Sequence, residues 1–214
     1  VGNVQALGTL HADGDVDIYA WGNLTVKSLT APGATVYLSA GYDWYDDSDN
    51  PAAKTLTLGR IDATGGSIDA YATGAIVDGD ASTATNLLAS DVTLTSTLGG
   101  ASGQWAIDMD VEATNSITAS VGGGYGGIYV RNWALQPNSV SLIDAAMSES
   151  AVKYFQYDTY DMTSGTHSFN AGNGDVDITA GGTLTVNPGS IGGTPGYLYL
   201  TSLTGNLSLS SSLS

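Results

Sequence analysis

The sequence predicts an all-β solenoid: a parallel β-helix of about eight or nine coils, each 20–25 residues long, with two inserted loops. Three observations carry that expectation. One phrase occurs twice, as GDVDIYAWGNLTV at 14–26 and GDVDITAGGTLTV at 174–186, with ten of thirteen positions identical. Weaker forms of the same alternation recur between the copies at a roughly constant interval. The composition, with 29 Gly and only 2 Phe among 214 residues, favours short strands and turns over helices.

Each repeat reads as an element with one buried face. In the first copy Val16, Ile18 and Ala20 alternate with Asp15, Asp17 and Tyr19. Gly22-Asn23 then turns the chain, and Leu24 and Val26 resume the inward face. The grammar returns in ATVYLSAG (34–41), GSIDAYATG (66–74), SDVTLTSTLGG (90–100), NSITASVGG (115–123), NSVSLIDAA (138–146) and GYLYLTSLTG (196–205). Taking Val16, Val36, Ile68, Val92, Ile117, Val140, Val176 and Leu198 as the first inward residues gives intervals of 20, 32, 24, 25, 23, 36 and 22. A unit this short cannot bury its own apolar face, so neighbours must stack. Three strands and three turns fill 20–25 residues, whereas a leucine-rich repeat would need a fixed Leu and Asn consensus that is missing.

The whole chain, 1–214, reads as one solenoid domain. The two long intervals place loop inserts near 41–54 and 144–165. Each insert holds Tyr-Asp-x-Tyr-Asp, at 42–46 and 157–161. The one stretch with helical spacing is LIDAAMSESAVKYF (142–155), where Ile143, Met147 and Val152 fit a face imperfectly.

The phrase G-x-V-x-[ILV]-x-A-x-G-x-L-x-V resembles the coil repeat of filamentous haemagglutinin-type adhesins, the large exoproteins of two-partner secretion. Autotransporter passenger domains are similar. The resemblance covers nearly the whole chain, most fully at 14–26 and 174–186. It implies a right-handed parallel β-helix, export to the bacterial cell surface, and an adhesive or structural role. The secretion domain of such proteins is not visible in the sequence, and the Tyr/Asp inserts are not a hallmark of the family.

Charge and composition narrow the partners. Five Lys plus Arg stand against 21 Asp plus Glu, for a net charge of −16. Scattered cations do not make a phosphate-binding surface, so nucleic acid is not expected. No apolar run approaches the ~20 residues of a membrane helix, so no membrane insertion is expected. With no cysteine, disulfides and thiolate zinc sites are excluded. The chain starts at Val1 and its ends still alternate. It is therefore expected to be a processed protein or a piece of a longer one, continuing its solenoid or stacking end to end with other copies.

Candidate contact residues are the aromatics of the inserts and of the changed letters between the copies: Tyr19, Trp21, Tyr42, Trp44, Tyr45, Tyr157 and Tyr160. Exposed aromatics supply rigid apolar area with a polar handle, for a protein, a glycan or the solenoid's own flank. A host or neighbouring-cell surface protein or glycan is the partner class. Asp43, Asp46, Asp47 and Asp49 are the candidate metal ligands, with calcium the fitting ion, although the spacing is not an EF-hand. No other cofactor is expected.

Catalysis has thinner support. Asp108 and Asp110 alternate on one strand face in WAIDMDVEA, with no Arg or Lys nearby in sequence, and read as solvated carboxylates beside Trp105. His11 and His167 read as solvated loop residues. The expectation is a non-enzymatic extracellular protein, with a polysaccharide-active lyase or hydrolase, or an acidic calcium-binding matrix protein, as alternatives.

Overall fold

The computed structural model describes residues 2–43, 46–80 and 85–210. They form an all-β solenoid of parallel stacked coils, about eight turns long. The chain winds through three faces per coil. Face I stacks Val16–Ala20, Thr35–Ala40, 67–72, 91–96, 116–121, Ser139–Asp144, Thr166–Asn170 and Ile191–Gly192. Face II stacks 4–6, 24–26, 56–58, Ile76–Asp78, 107–111, Ile128–Asn132, Ala151–Gln156, Asp175–Ala180 and Leu198–Ser202. Face III begins with 9–11, 28–30, 61–63, 87–89 and 111–113, and ends with Tyr160–Asp161, Leu184–Val186 and Leu207–Leu209.

Alternation fills the interior. On face I the inward column Val36, Ile68, Val92, Ile117 and Val140 is buried, and beside it Leu38, Ala70, Leu94, Ala119 and Leu142 alternate large with small. On face II the column is Leu24, Leu56, Ile76, Ile107, Ile128, Val152 and Val176. Adjacent coils lie ~4.8 Å apart, so each inward side chain rests on its counterpart above and below.

The two copies of the repeated phrase occupy different faces. In the first, Val16–Ala20 lies on face I and Leu24 opens face II. In the second, Asp175–Ala180 lies on face II and Leu184–Val186 on face III. Val176 and Leu198 therefore stand in the column of Ile128 and Val152, while Val140 is followed on its own column by His167. The 36-residue interval was a change of face. Along face I the step from Val140 to His167 is 27 residues, and along face II the steps from Ile128 to Val152 to Val176 are 24 each.

The span 144–165, expected as a loop insert and overlapping the stretch of imperfect helical spacing at 142–155, instead carries the face II strand Ala151–Gln156, paired on both sides. No helix forms there. Val152, Tyr154 and Gln156 point inward, and Glu149 breaks the backbone at φ 57 before the strand begins. The insert at 41–54 does leave the stack: Tyr42–Asp43 and Ser48–Asp49 form a short antiparallel hairpin. A longer corner at 97–106, between faces I and II, was not anticipated.

One coil has no face III strand, because 133–138 runs through Pro137. Side-chain amides bridge the gap. Gln136 accepts from the Asp161 N–H at 2.6 Å and donates to the Asp161 carbonyl at 2.8 Å, as a neighbouring strand would. Asn132 accepts from the Ala113 N–H at 3.1 Å and donates to Gln156. Buried backbone groups are thereby satisfied where the ladder is broken.

Candidate functional site

The outer side of face II collects the chemistry. Its outward column, coil after coil, is Val77, Asp108, Tyr129, Lys153, Asp177 and Tyr199. Arg131, one coil after Asp110, grips that carboxylate through Nε at 2.6 Å and Nη2 at 3.1 Å. Trp133 donates its Nε1–H to the same carboxylate at 2.7 Å. Asp110 is thus buried and saturated rather than solvated. The guanidinium also lies over the Tyr129 ring, 4.3 Å from its centroid.

Asp108 differs. Arg131 Nη2 comes within 2.9 Å of its Oδ1, yet that oxygen receives no aligned hydrogen bond. Burial pushes its carboxyl above the usual range, against the opposing pull of Arg131. It faces an open cleft of about 540 Å³ shared with Thr55, Asp78, Gln104 and Trp105. The sequence held a usable signal for this cluster: a residue about 21 positions later lies directly above, and 110 + 21 is Arg131.

Trp105 sits at the rim of the 97–106 corner, its ring 5.6 Å from Tyr129. The corner is pinned from two coils away. Glu149 accepts from Ser102 Oγ and from the Gly103 N–H, both at 2.7 Å, and these bonds hold its carboxyl below the usual range. Gly127, at φ 104, lies flat against the indole; a Cβ there would stand 2.7 Å from Trp105 Cε3.

A second aromatic group covers the outer side of face I. Tyr19 packs on Tyr37 at 5.2 Å and on Tyr42 at 6.3 Å, and Tyr42 meets Tyr71 edge-on at 6.0 Å. The hairpin folds over this face. Tyr42 donates its hydroxyl to Asp47 and Tyr71 to Asp49. These bonds help push both phenols up to about 12, led for Tyr42 by the hydrogen bond and for Tyr71 by burial. Trp21, at the neighbouring corner, accepts a hydrogen bond on its carbonyl from Asn50. At the matching corner of the second copy a Cβ on Gly181 would lie 1.9 Å from the Tyr157 carbonyl oxygen, so a tryptophan there is sterically barred.

The structure therefore brings Tyr19 and Tyr42 together and leaves Trp21 at the neighbouring corner, while Trp44 and Tyr45 lie outside the described residues. Asp47 and Asp49 are engaged by tyrosine hydroxyls, and Asp43 and Asp46 share the hairpin. Among the described residues no three acidic or histidine side chains converge as a metal cage. Tyr157 is exposed beside Trp133, at 5.7 Å.

Tyr160 and His167 require correction. Both are buried in one aromatic coil with Tyr154 and Phe169. Tyr160 is an inward face III residue, and His167 follows Val140 in the face I core column. Ser164 O lies 2.7 Å from His167 Nε2, and a carbonyl can only accept, so Nε2 carries the proton and Nδ1 accepts from the Tyr160 hydroxyl at 2.9 Å. Burial lowers the imidazole's proton affinity. This histidine is a satisfied core residue.

Comparison of the chain with protein-family models, with curated proteins and with solved structures gives no match.

Proposed function

We propose that this chain is a non-enzymatic, extracellular structural and adhesive protein: a segment of a filamentous adhesin, or a subunit of a bacterial surface filament. The observation that carries the reading is the parallel face II ladder, unbroken from 4–6 to Leu198–Ser202, which stiffens the molecule along one axis. The aromatic groups on faces I and II then provide lateral contacts along a stiff rod. Size-exclusion chromatography with negative-stain microscopy tests this: end-to-end rods are expected as concentration rises, and a strictly monodisperse monomer would sink the filament subunit. Calcium at 43–49 remains a subsidiary proposal, to be read by calorimetry.

Asp108 favours one second reading, a polysaccharide-active enzyme, because a carboxyl raised by burial faces an open cleft. Its neighbour Asp110 is committed to Arg131 and Trp133, which weakens the acid–base pair the sequence offered. Cleavage of a uronic-acid polymer that Asp108→Asn abolishes would establish this reading over the first.

A further inference from the structure

The geometry points to a binding site for a neutral linear oligosaccharide on the outer side of face II, running along the solenoid axis across Trp105. This site goes beyond the filament reading and does not depend on how coils stack at the ends.

The first ground is shape. Trp105 separates two depressions, one of about 540 Å³ towards Asp78 and Asp108 and one of about 200 Å³ towards Lys153, Asp177 and Tyr199. Both lie on the single outward column from Val77 to Tyr199. Five coil steps of ~4.8 Å make that track about 24 Å long, straight, and regular. A linear polymer of repeating units fits such a track; a globular partner does not need it.

The second ground is preorganisation. The Trp105 ring is held by Gly127 beneath it, Tyr129 beside it and a corner locked by Glu149. A partly buried indole fixed this firmly costs little ordering entropy when a sugar ring lies on its open part. Tyr199, half-exposed and stacked on Tyr197 at 6.0 Å, repeats the platform at the far end.

The third ground is electrostatic. Carboxylates line both depressions: Asp177 has Lys153 at 3.3 Å, and Asp108 shares Arg131 with Asp110. Asp78 accepts from Asn86 at 2.7 Å. What the site offers is the acceptor lone pairs of these carboxylates, with Thr55 and Gln104 beside them. Hydroxyl donors match that offer. Anionic polymers are disfavoured by the residual acidity of a chain at −16.

Isothermal titration calorimetry tests the site on the whole chain. The probes are cellohexaose, maltohexaose and chitohexaose, against polygalacturonate and a lysine-rich peptide. At least one neutral hexasaccharide is expected to saturate, and to keep its affinity at ~0.5 M salt, where charge-driven binding is screened. Trp105→Ala should weaken it roughly tenfold and Tyr199→Ala several-fold, as loss of an aromatic anchor does. Gly127→Ala, which pushes on the ring without removing it, should also weaken binding. Circular dichroism and urea midpoints confirm that each variant is folded. The proposal is overturned if no neutral hexasaccharide binds up to ~10 mM, if only the polyanion or the peptide binds, or if folded Trp105→Ala binds unchanged. Recovery of the bound hexasaccharide at full length is expected; shortened products would retain the ligand and overturn the non-enzymatic reading instead.

Discussion

Replacing Arg131 with alanine tests whether face II is built around a buried charge pair. The Arg131 side chain is 19% exposed and that of Asp110 5%. Alanine would remove two of the three donors that reach Asp110, leaving only Trp133 Nε1. Breaking a buried pair from one side costs about 3–5 kcal/mol, because the remaining charge stays desolvated. For a chain of this size that corresponds to a Tm lower by roughly 6–20 °C. Differential scanning calorimetry at pH 7.5 reads the loss. Arg131→Ala combined with Asp110→Asn should recover at least half of it, since the amide needs no countercharge. A loss below ~1 kcal/mol, or one that adding Asp110→Asn does not relieve, would refute the assignment of a buried pair.

Tyr160→Phe leaves His167 Nδ1 without its donor in the core, and should cost about 1–3 kcal/mol in urea unfolding; an unchanged midpoint would mean that the hydroxyl contact is idle. The His167 imidazole is held below its ordinary value by burial. Stability should consequently fall as pH drops below ~6.5, because the unfolded ring takes up a proton that the folded one resists. Burial raises the Asp69 carboxyl. Its contribution is greatest below the unfolded value and lost as pH rises, so Asp69→Asn should leave stability at pH 7 equal or higher and flatten the slope on the acid side. Glu149→Gln should loosen the 97–106 corner, seen as faster hydrogen exchange at Gly103; protection equal to that of the unaltered chain would show that the corner holds itself.

The fold was legible because alternation and period survive in nearly every coil, and both follow from stacking. Val36, Ile68, Val92, Ile117 and Val140 are one column in the sequence and in the structure. The site was less legible, for a geometric reason. Partners across a solenoid face are separated by a whole coil, so Asp110 and Arg131 look unrelated until the local coil length is known, and that length varies: face II steps run from 20 residues between Leu56 and Ile76 to 32 between Leu24 and Leu56. Inward and outward aromatics also share one alphabet. Tyr157 and Tyr160 stand in the same Tyr-Asp phrase, three residues apart, and the turn between them sends the first to solvent and the second into the core.

The repeated phrase shows what such a sequence does and does not encode. An offset of 160 residues is close to six and one-third coils at about 25 residues each, so the second copy arrives one face late. Both copies nevertheless form strand, corner and strand, with their shared corner glycines, Gly22 and Gly182, pressed against the preceding coil: a Cβ would meet Asn3 Oδ1 at 2.4 Å in one and Thr159 Oγ1 at 2.7 Å in the other. The phrase specifies a corner and its two flanking strands, and two different corners of the coil accept it. Which face it occupies is set by the accumulated lengths of the other corners. Position on the outer surface is therefore decided non-locally, and that is why Tyr19 joins a tyrosine group while its counterpart Thr179 stands in the column of Phe155.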